Sequence, residues 1–220
     1  MRGPLFALLG WTRLLRETGL TPERRQRAVD IIERSALTQA ALVEGLLDVS
    51  RIQNAKLSIE ATPVTLCKLV EEVVESLRPA AEAKGVELKI ETQGGLVVRG
   101  DELRLSQVVM NLLSNAIKFT PKGGVVTSTV HGRGDRVVFA VADTGRGIRP
   151  DALDEIFGCF VQDAPPDSRA GVGLGLFIVR ELVELHHGRV HAESKGQGLG
   201  ACFTVDLPRH VAAQALTAAE

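Results

Sequence analysis

Residues 101–120 read Asp-Glu-Leu-Arg-Leu-Ser-Gln-Val-Val-Met-Asn-Leu-Leu-Ser-Asn-Ala-Ile-Lys-Phe-Thr, and this stretch decides what the surrounding chain has to be. The spacing predicts a helix over 101–119. Val109, Leu112, Leu113 and Ala116 line one side, whereas Asn111, Asn115 and Lys118 stand at i, i+4 and i+7 on the other. Asparagine is a mediocre helix former, and an ordinary solvent face would carry Glu, Lys or Arg in its place. A face built of amides has a chemical use. The amide oxygen is a hard, neutral ligand, which suits a magnesium ion that keeps several waters and takes its charge balance from nucleotide phosphates. Lys118, one turn on, can neutralise phosphate.

Working outward, Val137-Val-Phe-Ala-Val-Ala142 has the pattern of a buried strand and delivers Asp143 to its end, in the run Asp143-Thr-Gly-Arg-Gly147. A carboxylate there can accept from the exocyclic amine of adenine, and Gly145 and Gly147 let backbone approach the ring. Taken alone, the same aspartate also reads as an Asx turn after a strand. Between Phe157 and Gly173 lies an aperiodic stretch rich in Gly, Pro and Asp, which runs into a helix starting at Leu174. Gly171, Gly173 and Gly175 can present unhindered N–H groups beside that helix start, a combination that makes an anion cradle. A last glycine pair follows in Gly198-Leu-Gly200-Ala-Cys-Phe203.

The first 55 residues are of a different kind. Leu5, Leu8, Leu9, Thr12 and Leu15 share a helical stripe that stops near Thr18-Gly19. Thr21 and Pro22 read as the N-cap and first position of a second helix, whose apolar positions Val29, Ile32, Ala36, Val43 and Leu46 lie near a heptad period. A helical hairpin that dimerises is expected, with Arg13, Arg16, Arg24, Arg25 and Arg27 as a solvated basic end. The domain reading is a hairpin at 1–55, a linker at 56–64, a nucleotide domain at 65–210 and a frayed tail at 211–220. Within the nucleotide domain, helices are expected at 66–83, 101–119 and 174–186. Strands are expected at 86–91, 96–99, 125–131, 136–142, 189–194 and 201–207.

A formal net charge of -1 with 24% charged residues argues against a nucleic-acid partner. No apolar run approaches 18 residues, so no membrane span is expected within the chain. Cys67, Cys159 and Cys202 are odd in number and in no ligand pattern; each is expected as a small buried hydrophobe in a reducing compartment. The five histidines form no zinc pair and are expected to be structural or exposed. Neither a P-loop nor a Rossmann fingerprint occurs.

The four blocks, from 111, 143, 171 and 198, resemble in order the N, G1, G2 and G3 boxes of sensor histidine kinases, whose ATP-binding domain belongs to the GHKL superfamily. The resemblance covers nearly the whole chain. It implies an α+β architecture: a helical hairpin forming a dimeric four-helix bundle, followed by a Bergerat-type two-layer α/β sandwich with a mixed sheet. It implies ATP and Mg2+, with Asn115 as magnesium ligand, Asn111 and Lys118 beside the phosphates, and Asp101, Arg104 and Gln107 leading in. Asp143, Gly145 and Gly147 would meet adenine, and Phe119, Ile148 and Gly200 are further nucleotide-binding positions that the resemblance implies. Gly171, Gly173, Leu174, Gly175 and Leu176 would border the lid, with Phe157 and Phe160 as hydrophobic anchors at its base. Arg169 is the lid residue placed near the terminal phosphate. The implied activity is phosphorylation of a histidine, then transfer to the aspartate of a response-regulator receiver domain. The implied setting is cytoplasmic, alone or within a longer membrane-linked sensor.

Departures from the family are local. Ala170 and Val172 stand where the family commonly has Gly and a hydroxyl residue, so weaker nucleotide affinity or lid closure is expected. The family's H box, His-Glu-hydrophobic-Arg-Thr-Pro-Leu, is matched by Met1-Arg2-Gly3-Pro4-Leu5 only from its third residue. The phosphoacceptor would precede Met1, and self-phosphorylation on histidine is not expected. The clean cut favours a fragment or a misassigned start over natural loss. GHKL hydrolases carry a water-activating glutamate where Asn111 stands, and a neutral amide is a poor base. An anti-sigma-type serine kinase would lack the hairpin. The non-enzymatic alternative is an ATP-sensing module that pairs with or regulates an intact kinase chain.

Overall fold

The computed structural model describes residues 2–16, 20–53, 57–161 and 173–210. Contacts divide the chain into two units, Met1–Leu57 and Ser58–Glu220. The expected cap at Gly19, the linker residues 54–56 and the tail from Val211 lie outside the described residues.

The first unit is a helical hairpin of α1 (Arg2–Leu14) and α2 (Pro22–Gln53). Thr21 caps α2 as its position suggests, its Oγ1 accepting from the Arg24 N–H at 3.3 Å. α1 and α2 pack on one another, with Leu8, Trp11 and Leu14 part-buried on α1 and Ala28 and Ser35 buried on α2, where the Ser35 hydroxyl donates to the Ile31 carbonyl at 2.7 Å. The heptad positions Val29, Val43 and Leu46 are exposed instead, as are Leu37 and Leu47. Length explains part of this. At about 1.5 Å per residue, α1 reaches roughly 20 Å along an α2 of roughly 48 Å.

The second unit is a two-layer sandwich. A five-stranded mixed sheet runs in the order β2-β4-β5-β7-β6, with β2 Glu87–Thr92, β4 Val125–Arg133, β5 Arg136–Asp143, β6 Arg189–Glu193 and β7 Ala201–Pro208. β2 and β4 are parallel and the remaining pairs antiparallel. Three helices cover one face: α3 (Leu66–Lys84), α4 (Glu102–Phe119) and α5 (Gly175–Leu185). Strand periodicity of two sends Val126, Val130, Phe139, Val141, Phe203 and Val205 inward, while Thr127, Thr129, Ala140 and Thr204 face outward.

Two expectations need correction here. Residues Thr62–Thr65, read as linker, form β1, which pairs antiparallel with β3 (Val97–Gly100). Pro63 is tolerated because β1 is an edge strand that pairs on one side only. The cysteines are not all buried: Cys67 is, but Cys159 and Cys202 are part-exposed. Phe203 takes the inward position on β7, so its neighbour Cys202 must face out.

Candidate functional site

α4 is held at both ends, which fixes the polar face between them. Asp101 caps its start, Oδ1 accepting from the Arg104 N–H at 3.1 Å. The Asp101 N–H donates to His186 Nε2 at 2.9 Å, and His186 Nδ1 lies 2.7 Å from the Leu182 carbonyl. That pairing makes Nδ1 the protonated nitrogen and ties the end of α5 to the start of α4. At the other end, Lys84 donates to the carbonyls of Ile117, at 2.7 Å, and Lys118. Thr120 Oγ1 donates to the Ala116 carbonyl at 2.7 Å.

On the part-buried face between these ties stand Asn111, Asn115 and Lys118, brought together as the spacing requires. The start of α5 closes over them. A Cβ at Gly175 would come 3.3 Å from Asn111 Oδ1 and 3.9 Å from Asn115 Nδ2. Leu174 occupies the N-cap position of α5 and has no side-chain oxygen to offer the first-turn N–H groups, so that positive helix end stays receptive to an anion. A pair of neutral amides and an uncapped helix start, brought close because position 175 has no side chain, fit a phosphate group, and the amide oxygen of Asn115 is of the kind that would hold a magnesium ion beside it. Burial holds the Lys118 ammonium below its usual range, with lesser contributions from Arg146 and Lys84.

Asp143 ends β5, and its Oδ1 accepts from the Gly145 N–H at 2.8 Å. Burial pushes its carboxyl above the ordinary value, while the N–H groups of Gly145 and Ala201, and then the charge of Arg146, pull it back. The glycines beside it have a role the sequence reading did not give them. A Cβ at Gly145 would stand 2.6 Å from the Phe119 carbonyl oxygen, one at Gly147 2.0 Å from that of Gly196, and one at Gly200 2.0 Å from that of Asp143. Their missing side chains let two loops cross. Gly198 donates to the Arg146 carbonyl at 2.6 Å and Gly200 to that of Gly145 at 3.1 Å. Ser194 Oγ joins the same knot, accepting from the Ile148 N–H at 3.0 Å and donating to the Gly200 carbonyl at 2.6 Å.

At the base of the expected lid, Phe157 is buried edge-on against Phe203, with ring centroids 6.3 Å apart. Phe160 is no such anchor. Its side chain is 52% exposed, and its backbone takes φ 64, the left-handed region that is strained for a bulky residue. The Phe160 N–H donates to the Gly173 carbonyl at 2.9 Å, so the backbone holds the base together. Leu174 and Ile148 are buried and Leu176 is part-buried. Arg169 and Gly171, like Ala170 and Val172, lie outside the described residues. The sequence reading missed Arg146, Ser194, Lys84 and the specific task of His186. Arg146 stood inside a quoted motif and was legible as a cation there; each of the other three makes a bond to a residue between 33 and 85 positions away, for which the local sequence has no signal.

A family model described as Histidine kinase-, DNA gyrase B-, and HSP90-like ATPase matches residues 100–211, and one for the His Kinase A (phospho-acceptor) domain matches residues 1–55. The chain belongs to the two-component sensor histidine kinases. Among sensor histidine kinases of known identity, the autoinducer 2 sensor kinase/phosphatase LuxQ of Vibrio parahaemolyticus is 36% identical over 217 residues, covering 94% of this chain and 25% of LuxQ. The histidine protein kinase DivJ of Caulobacter vibrioides is 34% identical over 212 residues, covering 94% of this chain and 35% of DivJ. The chain thus spans about a quarter to a third of the length of these relatives. The crystal structure of full-length ShkA in complex with AMPPNP superposes with a TM-score of 0.74 at 36% identity, over 96% of this chain and 44% of that one. Among the described residues, no helix of this histidine kinase is long and apolar enough to cross a membrane.

Proposed function

We propose that this chain is the ATP-dependent kinase core of a two-component phosphorelay. In this reading the γ-phosphoryl group of ATP passes to a histidine imidazole, ADP leaves, and the phosphoryl group moves on to an aspartate of a response-regulator receiver domain. The observation that carries it is the meeting of the Asn111–Asn115 face with the uncapped start of α5, with Lys118 one turn further along α4 and Asp143 at the end of β5. The family's ATP-binding model and the nucleotide analogue bound to ShkA support it. Asn115 would hold a magnesium ion, which would supply positive charge to offset that of the phosphates.

The protein's own part is positioning. Asp143 selects adenine by accepting from its exocyclic amine, Lys118 and the α5 start hold the phosphates, and the buried helix face keeps bulk water from one side. Asn111 is a neutral amide and cannot deprotonate a water molecule, which favours transfer over hydrolysis. The exposed apolar residues of α2 support a homodimer built as a four-helix bundle.

None of the five histidines, His131, His186, His187, His191 and His210, lies in the hairpin. His186 is committed to Asp101. The chain is therefore expected to donate phosphate to a histidine on another polypeptide and not to label itself. The experiment mixes it with γ-labelled ATP, alone and with a hairpin-extended version disabled by Asn115→Asp. Acid-labile, base-stable label on the extended partner alone supports the reading. ATP binding without label on either protein would favour the non-enzymatic module, and label on the chain alone would refute the assignment of its histidines.

A further inference from the structure

Phe119 ends α4, and two cations lie against its ring: Lys118 Nζ is 4.9 Å from the centroid and the Arg146 guanidinium carbon 4.3 Å. Arg146 is not a free arm. Its N–H donates to the Phe119 carbonyl at 3.3 Å and its own carbonyl accepts from Gly198 at 2.6 Å, so its Cα is fixed between α4 and the crossing loop. Both side chains are part-buried. Elsewhere in this unit, Arg78 meets Glu75, and Arg133 and Arg136 share Asp206. Among the described residues, neither Lys118 nor Arg146 forms an ion pair with a carboxylate.

An aromatic face attracts one cation, but a second of the same sign close by repels the first. Half-burial sharpens that repulsion, because less water screens it. Lys84 adds a third positive charge at the same helix end, where it is engaged by the Ile117 and Lys118 carbonyls. The Asp143 carboxylate attracts Arg146 but leaves an excess of positive charge at this helix end, which a multiply charged anion lying near the cations would offset. Packing alone would need only the stem of Arg146 and its backbone bonds.

The geometry points to Arg146 as a second phosphate-binding cation, which together with Lys118 brackets the polyphosphate of a nucleoside di- or triphosphate while its stem covers Phe119. This rests on the nucleotide reading above and adds the residue that makes the site select the charged chain over the nucleoside. Phe119 then acts as the spacer that sets how far apart the two cations stand.

The test titrates the 220-residue chain with Mg-ADP, adenosine and inorganic tripolyphosphate, and repeats it with Arg146→Met and Arg146→Lys. Methionine keeps an apolar stem on the ring and removes the charge; lysine restores the charge. Arg146→Met is expected to weaken ADP and tripolyphosphate by roughly 10- to 100-fold, the scale of a hydrogen bond to a charged group. Adenosine should change less than about twofold and lysine should recover most of the loss. An equal loss for adenosine, or no loss for ADP, overturns the proposal. Should Arg146→Met fail to fold, phenylglyoxal labelling of the wild-type chain decides: ADP but not adenosine must shield Arg146, and labelling unchanged by ADP overturns it. Wild type that binds tripolyphosphate but not adenosine keeps Arg146 and sinks the adenine assignment, whereas wild type that binds none of the three sinks both.

Discussion

Asp143→Asn is expected to move ligand affinity and stability in opposite directions. The buried carboxyl has its folded-state value raised above 3.8, burial outweighing the N–H groups of Gly145 and Ala201 and the charge of Arg146. In the window just above that ordinary value the folded chain binds more protons than the unfolded chain, so stability falls as pH rises through it. The penalty is absent below the unfolded value and fully present above the folded one, including at neutral pH. Asparagine carries no charge at any pH and can keep accepting from the Gly145 N–H, the bond of 2.8 Å. The ligand-free variant should therefore melt at or above the wild-type Tm at pH 7, with a flatter pH profile in that acidic window. Affinity goes the other way. The adenine amine loses an ionised acceptor and can meet an amide donor in its place, a cost of about 1–3 kcal/mol or roughly a 5- to 150-fold weaker ATP Kd. Calorimetry and thermal melts on one preparation measure both. ATP binding within twofold of wild type would refute the adenine contact, and a Tm several degrees lower at neutral pH would refute the argument from burial.

Gly175→Ala should fold normally, since alanine favours a helix start over glycine, yet lose nucleotide affinity because the new Cβ stands 3.3 Å from Asn111 Oδ1; calorimetry that shows unchanged ADP binding would remove that space from the site. Ser128 is buried in β4 with a hydroxyl that has no hydrogen-bond partner among the described residues, so Ser128→Ala is expected to raise the urea-unfolding free energy by about 1 kcal/mol, and a loss of that size would expose a hidden partner. Leu37→Glu with Leu46→Glu, at positions 65% and 43% exposed in the single chain, should turn a dimer into a monomer in light scattering near 100 μM, a range chosen for weak association. A wild-type chain that is already monomeric there would count against the bundle.

α4 could be read from the sequence because one helix had to satisfy two demands, and the apolar face left the asparagines with no packing reason to be there. Asp143 was legible because a buried strand pattern has to end somewhere, and an acid at that end is conspicuous. β1 was not, since a four-residue edge strand containing Pro63 buries only Val64 and exists through its pairing with β3, some 35 residues away. Gly145, Gly147 and Gly200 were recognisable as special positions, but the part that packing plays in them, against main-chain carbonyls of Phe119, Gly196 and Asp143, is contained in no local window. Phe160 failed for a related cause. Its aromatic character suggested burial, whereas the left-handed turn that joins it to Gly173 carries the side chain outward.

For a gene drifting under mutation, the crossing at Gly147 and Gly200 is a pair of fixed points. Every substitution there adds a Cβ about 2.0 Å from a carbonyl oxygen of another segment. The obstacle is main chain, so no second change in a side chain can make room. Divergence in this part of the fold is channelled to Lys195, Gln197 and Leu199, whose side chains face solvent. A lineage can recolour this exposed rim freely while the knot beneath it stays the same.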